Sequence, residues 1–253
     1  MIQTLELKLG VPAGSKFPQS ACSLLHGVLM QHVDGAYADF LHTQNLRPYS
    51  QCVYFDKERN GLYWRLNALD ERAQEKLLGA AFALPNKIYL QQKRMELEIL
   101  SKEYVPGTDY EALAAKYFTQ PLAGKYLRFD FVTSGSFKSE GQYAIFPQPQ
   151  LLLNSLVQRW NAFAPSNRLD VPGVARDLAQ EVYVADYSLR LAAFSVDGAR
   201  IPAFRGSYTL GMKNNIMAGR IIAMLGEYAK YCGVGIKTAL GMGAVKTELR
   251  EKW

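Results

Sequence analysis

The first part of the chain alternates between strand-like and helix-like spacings of apolar residues. Residues 3–9 alternate apolar and polar positions, as a half-buried strand does. Residues 20–33 then carry apolar side chains on one helix face, namely Leu24, Leu25, Val28 and Leu29. The following elements are a short helix over 37–41, strands over 51–55 and 62–66 joined by a turn, and a helix over 70–82 with Asp70 as N-cap. The last is an extended segment over 88–104, a strand with a twist or bulge. The order β-α-β-β-α-β is typical of a ferredoxin-like domain.

The second part repeats this order after a linker predicted near residues 119–124. Strands are expected over 126–132, 181–194, 200–209 and 244–249, and helices over 151–163 and 214–231. The predicted fold class is therefore α+β, with two tandem ferredoxin-like (RRM-like, βαββαβ) domains. We expect the first domain to span residues 1–120 and the second to span residues 121–253.

Composition excludes several classes of protein. Cysteines occur only at positions 22, 52 and 232, with no CxxC pair, so neither a disulfide framework nor a zinc site is predicted. No apolar run is long enough to cross a bilayer, and no signal-peptide pattern opens the chain. We expect a soluble cytoplasmic protein that uses no metal and no cofactor.

Charge divides the chain unevenly. Residues 1–121 carry 13 Lys and Arg against 13 Asp and Glu, whereas residues 122–253 carry 16 against 10. The second half therefore holds the whole formal charge of +6. A basic half beside a neutral half favours binding of a polyanion such as nucleic acid.

The glycine-rich segment 233–243 is the most informative stretch. It is not a dinucleotide fingerprint, because Thr238 stands where the third glycine of GxGxxG belongs, and the segment leads from a helix into a strand. One interpretation is a helix C-cap at Gly233 followed by a tight turn. The other is a phosphate-binding or RNA-binding loop, with backbone N–H groups and Lys237 facing the phosphates.

The segment 233–243 resembles the GxGxKTxxGxG signature of the RAMP superfamily, and within it the CRISPR repeat-processing endoribonucleases. Met242 stands where that family often has an aromatic residue. Further matches follow the family order along most of the chain: Leu41-His42, Arg47-Pro48-Tyr49-Ser50, residues 131–137 with Gly135 in place of the usual proline, the helix up to Phe163 with Trp160-Asn161, and Phe204-Arg205-Gly206. The resemblance implies a metal-independent endoribonuclease that cuts CRISPR precursor RNA into guide RNAs, leaving 2′,3′-cyclic phosphate and 5′-hydroxyl ends.

Such a reaction needs proton transfer at the 2′- and 5′-oxygens and stabilisation of charge on the phosphorus. Histidine suits the proton transfers, and a cation or hydrogen-bond donors suit the charge. The resemblance implies that His42 is the catalytic histidine. Tyr37 and Arg47 lie within the same eleven residues and supply a hydroxyl and a fixed cation, so they are its candidate partners. His26 is the second choice among the histidines. His32, six residues further on, faces another side of the helix and is expected to be solvated.

The remaining predictions concern partners. The candidate RNA-binding residues are Ser134, Ser136, Lys138, Arg205, Gly233, Gly235, Lys237, Thr238, Gly241 and Gly243. Expected partners are CRISPR repeat RNA, as precursor and product, and subunits of an interference complex; no membrane is expected, and the protein is a monomer or homodimer. The first alternative is a non-cleaving RAMP subunit that holds guide RNA. The second is an unrelated phosphate-binding enzyme, which requires a carboxylate or metal cluster that the sequence lacks.

Overall fold

The computed structural model describes residues 1–12, 14–15, 17–196 and 198–252. The chain forms two compact units. Unit 1 contains residues 1–107 together with residues 238–241, and unit 2 contains residues 108–237 together with residues 242–253. Within the described ranges, no helix is long and apolar enough to span a bilayer.

Unit 1 is a five-stranded sheet with its helices on one face. Its elements are β1 (Ile2–Gly10), α1 (Cys22–His32), α2 (Gly35–Thr43), β2 (Tyr49–Asp56), β3 (Gly61–Ala68), α3 (Glu71–Ala73), α4 (Gly79–Ala83), β4 (Lys87–Leu90) and β5 (Met95–Thr108). A π-helical turn, Gln74–Leu78, joins α3 to α4. The strand order β2-β3-β1-β5-β4 is the ferredoxin-like order with β4 added at one edge.

The core of unit 1 follows from the alternation seen in the sequence. Leu5 pairs with Leu66 and Leu7 with Trp64 across β1 and β3, and all four side chains are fully buried. Apolar side chains of α1 and α2 belong to the same buried cluster. Burial of each such side chain contributes about 1.5–3 kcal/mol, so this face of the sheet holds both helices in place.

The end of the chain returns to complete unit 1. The short 3₁₀ turn Thr238–Leu240 places Ala239 in the same hydrophobic cluster. Gln51 Nε2 donates to the Ala239 carbonyl at 2.6 Å, while Trp64 Nε1 donates to Gln51 Oε1 at 2.7 Å. The buried amide of Gln51 therefore links β2 and β3 to the centre of the glycine-rich segment.

Unit 2 is built on a four-stranded sheet. Its elements are α5 (Tyr110–Thr119), β6 (Tyr126–Phe131), β7 (Phe137–Ser139), β8 (Gln142–Ala144), α6 (Pro149–Phe163), α7 (Val174–Gln180), β9 (Val182–Val196), β10 (Ala199–Met212), α8 (Ile216–Cys232) and β11 (Val245–Arg250). The strand order is β11-β6-β10-β9, and β7 and β8 form a separate hairpin. This is again the ferredoxin-like order, which confirms the predicted fold class.

The boundary between the units lies at residues 107 and 108 rather than at 120 and 121. The reason is α5, which packs within unit 2. The ring of Tyr110 lies edge-on to Trp160 at 5.1 Å and contacts Tyr228 at 5.6 Å. The hydroxyl of Tyr117 also donates to Glu227 at 2.9 Å. The helix that precedes the predicted linker thus belongs to the second domain.

Three other local features differ from the sequence-based expectations. The segment 88–104, predicted as one strand with a twist or bulge, is divided into two strands by the 3₁₀ turn Gln91–Lys93, after which Arg94 is left-handed with φ 47°. Neither α7 nor the hairpin of β7 and β8 was predicted. The N-cap at Asp70 is confirmed, because its carboxylate accepts from the Ala73 N–H at 2.7 Å.

Candidate active site

His42 lies in the last turn of α2 and is exposed. The helix begins after Asp34, whose side chain caps it by accepting from the Tyr37 N–H at 3.1 Å. Leu41, the preceding residue, is buried in the core of unit 1, whereas His42, about 100° further round the helix, lies outside that core. The structure therefore presents this histidine to solvent, where a substrate can reach it.

His26, in the middle of α1, is held by a tyrosine from β2. The Tyr49 hydroxyl lies 3.2 Å from His26 Nδ1, and the two rings stack with centroids 6.2 Å apart and planes 18° apart. Tyr49 is fully buried. Since Tyr49 is the first residue of β2, the sheet itself sets the position of this imidazole.

Arg47 joins the two histidines into one cluster. Its Nε donates to the Leu41 carbonyl at 3.3 Å, and its positive charge acts against the effect of burial, which raises the pKa of Tyr49. Burial, followed by the charges of Arg47 and His42, lowers the pKa of His26 to about 4. The imidazole of His26 is therefore neutral at pH 7, and the side chains of Arg47 and His42 lie within electrostatic reach of it.

Tyr37 occupies a different environment from the one predicted. Its side chain is 1% exposed, and among the described residues its hydroxyl has no hydrogen-bond partner. Arg72 lies 4.9 Å above its ring, and burial, with the charge of Asp70, raises its pKa well above the usual range. The structure places His42 and Arg47 within electrostatic reach of His26 but leaves the Tyr37 hydroxyl inside the protein, so the catalytic roles of all three predicted residues stay predictions.

Sequence reasoning missed Tyr49 and ranked His26 below His42. The signal for Tyr49 was present in the segment Arg47-Pro48-Tyr49-Ser50, where only the arginine was given a role. No local pattern joins His26 to Tyr49, which lies 23 residues further along the chain.

In unit 2, two predicted motifs meet. Ile236 N donates to the Ser136 carbonyl at 3.0 Å, and Gly243 N donates to the Ser134 carbonyl at 2.9 Å. Ala244 N adds a hydrogen bond to Thr133 Oγ1 at 2.9 Å. The loop after β6 and the glycine-rich segment therefore form one hydrogen-bonded structure, although about a hundred residues separate them in the sequence.

The glycines allow close approach of backbone to backbone. A Cβ at Gly235 would lie 2.3 Å from the Ser136 carbonyl oxygen, and one at Gly243 would lie 1.9 Å from the Val234 carbonyl oxygen. Both glycines have positive φ, at 85° and 67°. The four glycine amides donate inside the protein, to Ala229 O, Ser155 Oγ, Thr238 O and Ser134 O. These N–H groups are occupied, so any role of the glycines in RNA binding depends on the side chains they position.

The side chains of α6 hold the glycine-rich segment from its other side. Ser155 Oγ accepts from Gly235 N at 2.9 Å, and Arg159 Nη2 donates to the Gly235 carbonyl at 3.0 Å. Arg159 is 5% exposed. A buried arginine on a carbonyl makes this backbone position rigid.

The predicted RNA-binding side chains differ in accessibility. Lys138 and Lys237 are exposed, and Arg205 is half-buried. Lys237 has a left-handed backbone with φ 52°. By contrast, the hydroxyl-bearing candidates are buried: Ser134, Ser136 and Thr238. The cations, rather than the hydroxyls, are therefore the groups that a ligand can reach.

No group of three or more His, Cys, Asp and Glu side chains is placed to hold a metal ion in the described part of the chain. The cluster in unit 1 combines two imidazoles, a guanidinium and a phenol. Such a set can exchange protons and stabilise an anion.

Comparison with known proteins identifies the family. A CRISPR-associated endoribonuclease Cas6 from Streptococcus thermophilus is 31% identical over 231 residues, which cover 89% of this chain and 90% of that protein. The chain belongs to the Cas6 family. The family model for CRISPR-associated endoribonuclease Cas6 matches residues 129–245, and a Mycobacterium tuberculosis Cas6 is 29% identical over 249 residues, covering 97% of this chain and 77% of that protein.

The fold agrees with solved Cas6 structures. The product complex of a Thermus thermophilus Cas6 superposes with a TM-score of 0.78 at 24% identity, covering 98% of this chain and 100% of that chain. The sequence-based prediction of a CRISPR repeat-processing endoribonuclease family is therefore confirmed, and with it the class of enzyme.

Two departures from the expected Cas6 pattern have structural explanations. Gly135 N donates to the Phe204 carbonyl at 2.9 Å and Phe204 N donates back, a bridge that a proline at position 135 could not form. Met242, where an aromatic residue is common, is fully buried. Its position is therefore one of packing, not of surface stacking.

Proposed function

We propose that this protein binds CRISPR repeat RNA and cuts the precursor transcript into guide RNAs by attack of a 2′-hydroxyl on the adjacent phosphorus, without a metal ion. The products are a 2′,3′-cyclic phosphate and a 5′-hydroxyl. The observation that carries the proposal is the cluster of His26, His42, Arg47 and Tyr49 in unit 1.

The two histidines differ in a way that suits the two proton transfers. His26, whose pKa is lowered to about 4, is neutral at pH 7 and accepts the proton of the 2′-hydroxyl. In this role His26 Nδ1–H donates to the Tyr49 oxygen, which leaves Nε2 free as acceptor. His42, in its imidazolium form, donates a proton to the departing 5′-oxygen.

The phosphate itself assists this arrangement. Arg47 stabilises the negative charge that develops on the phosphorane oxygens. An anionic phosphate beside Arg47 also offsets the cationic charge that lowers the pKa of His26. Substrate binding therefore raises the basicity of His26 at the moment when a base is needed.

Unit 2 supplies the cations that hold the RNA backbone. Lys138, Lys237 and Arg205 are accessible and bind phosphates without regard to base sequence. We also infer that the product stays bound through these contacts and is delivered in the cytoplasm to subunits of an interference complex. Tight product binding then makes the enzyme turn over slowly.

The test is cleavage of a repeat RNA in excess EDTA, with analysis of the end groups of the products. The wild-type protein is compared with His42→Ala and His26→Asn, and the RNA is compared with one that carries a single 2′-deoxy sugar at the cut. We expect cleavage by the wild type only, since each change removes one participant in the proton transfers. Binding of the deoxy RNA by all variants checks that the proteins are folded.

A matched control is His32→Ala, because His32 is an exposed histidine at the end of α1 outside the cluster. Its cleavage rate should equal that of the wild type. Loss of wild-type cleavage on addition of EDTA would contradict the metal-free reaction. Tight binding without any cleavage would instead identify a guide-holding subunit.

A further inference from the structure

Two arginines face each other across the hairpin of β9 and β10. Arg190 and Arg205 are direct partners in the antiparallel register. The side chains of such partners leave the sheet on the same face with Cβ atoms about 4.5–5.5 Å apart. Like charges at directly opposite positions are destabilising, so this arrangement works against the stability of the hairpin.

In the part of the chain that the structure describes, no carboxylate forms an ion pair with either of these arginines. Asp130, which pairs with Ser207 and so lies on the same face of the sheet, is already bound by Arg128, whose Nε lies 3.0 Å from its carboxylate oxygens. Burial, and then the charge of Arg190, lowers the pKa of Arg205, which is the effect of a cation that has no anion beside it.

The backbone holds the two strands tightly at this point. A Cβ at Gly206 would lie 1.9 Å from the Ser188 carbonyl oxygen, and Gly206 has φ 137°. Only glycine permits this approach. Ser188 and Ser207 form the next cross-strand pair on the same face of the sheet. Their two hydroxyl groups therefore lie beside the two guanidinium groups.

We propose that Arg190 and Arg205 together bind one phosphate group of the RNA backbone, with the hydroxyl of Ser188 as an additional donor. The inference rests on the proposed function for the identity of the ligand, and it adds Arg190, which the sequence did not indicate. A phosphodiester accepts paired N–H groups from a guanidinium and carries the charge that the pair lacks. Phosphate binding therefore relieves the repulsion that the free protein contains.

The test measures affinity for a repeat RNA with a 2′-deoxy sugar at the cut, across a series of salt concentrations, for Arg190→Gln, Arg205→Gln and the double variant. Each single change should weaken binding roughly tenfold and reduce the slope of log K against log salt by about one. The double variant should be weaker by much less than a hundredfold, because both arginines hold the same phosphate.

Stability of the free protein separates this role from a structural one. Removing either arginine relieves like-charge repulsion, so the melting temperature without RNA should stay equal or rise. The control is Arg176→Gln in the same unit, since Arg176 is exposed and paired with Asp177 at 3.2 Å. It should leave both affinity and salt slope unchanged.

Wild-type affinity and slope in Arg190→Gln would overturn the proposal, as would a fall in melting temperature large enough to account for weaker binding. Strictly additive effects in the double variant would contradict a shared phosphate. If the wild type binds RNA but never cuts it, the phosphate site stands while the catalytic proposal fails. If the wild type binds no RNA, both fall.

Discussion

The hydroxyl of Tyr49 lies 3.2 Å from Nδ1 of His26, so the first residue of β2 sets the orientation of an imidazole on α1. The charge of Arg47 acts on the same hydroxyl, against the rise that burial causes in the pKa of Tyr49. One buried phenol therefore positions the proposed base within electrostatic reach of the proposed anion-stabilising group.

Tyr49→Phe should slow cleavage without weakening RNA binding. The ring and its stacking with His26 remain, but the hydrogen bond to Nδ1 is lost, which is worth about 0.5–1.5 kcal/mol. The expected loss in single-turnover rate is about two- to tenfold. Tyr89→Phe, an exposed tyrosine on β4 of the same unit, should cut at the wild-type rate. An unchanged rate in Tyr49→Phe would remove this tyrosine from the site.

His26 should make stability depend on pH. Its pKa is about 4 in the folded protein against 6.5 as the ordinary value, so between these limits the unfolded chain binds the proton more readily. The contribution of neutral His26 to the free energy of unfolding is fully present above pH 6.5. It is lost as the pH falls to 4, and the loss is about 3 kcal/mol at most.

Urea unfolding at pH 7 and pH 4 measures this difference. His26→Asn should lose less stability than the wild type over that interval, because it has no imidazole to protonate. His32→Asn, at an exposed position, should show the wild-type loss. Equal pH dependence in His26→Asn and the wild type would mean that the folded protein does not depress the pKa of His26.

Tyr37→Phe should retain cleavage within about a factor of two. The hydroxyl is buried and has no partner among the described residues, so its removal loses no hydrogen bond that the structure shows. Removing an unsatisfied buried hydroxyl should also leave the free energy of unfolding equal or raise it. A loss of cleavage at unchanged stability would restore the role that the sequence suggested for Tyr37.

Gln51→Leu should destabilise the protein by about 2–4 kcal/mol, measured by urea unfolding. The change leaves both the Trp64 indole N–H and the Ala239 carbonyl without their partner in a buried setting. Gln91→Leu, on the exposed 3₁₀ turn, is the control for the same side-chain change. Wild-type stability in Gln51→Leu would show that the segment 238–241 packs without this link.

Gly243→Ala should lower the free energy of unfolding by more than about 1–3 kcal/mol, which is the cost of an unfavourable backbone conformation alone. The added methyl would overlap the Val234 carbonyl oxygen, at 1.9 Å. Gly141 also has a positive φ, of 79°, but lies in open space, so Gly141→Ala measures the cost of the backbone conformation alone. Gly79→Ala, in α4 and also in open space, should be neutral or stabilising. Equal losses at positions 243 and 141 would mean that the backbone near Val234 moves aside.

The sequence was informative about structure wherever the cause is local. Periodicity predicted most strands and the main helices, and Asp70 was recognised as an N-cap because a cap acts within three residues. The helix α5 was assigned to the wrong domain because what decides its place is distant in sequence: the rings of Trp160 and Tyr228. Local patterns contain no information on such contacts.

The candidate site shows the same division. His42 and Arg47 could be named because they stand in one short segment. The contact of Tyr49 with His26 depends on how α1 packs on the sheet, and the pairing of Arg190 with Arg205 depends on a strand register that a shift of one residue would destroy. Tyr37 and Tyr49 are equally buried, but the Tyr49 hydroxyl lies 3.2 Å from His26 Nδ1, whereas the Tyr37 hydroxyl has no partner among the described residues.

The position of Ala239 in the core of unit 1 has a consequence for biosynthesis. Domains generally fold as units, the N-terminal one first as it leaves the ribosome. Here the N-terminal unit lacks part of its core until residues 238–241 emerge, and residues 108–237 of unit 2 are made before them. The first domain is therefore completed only after most of the second has been synthesised.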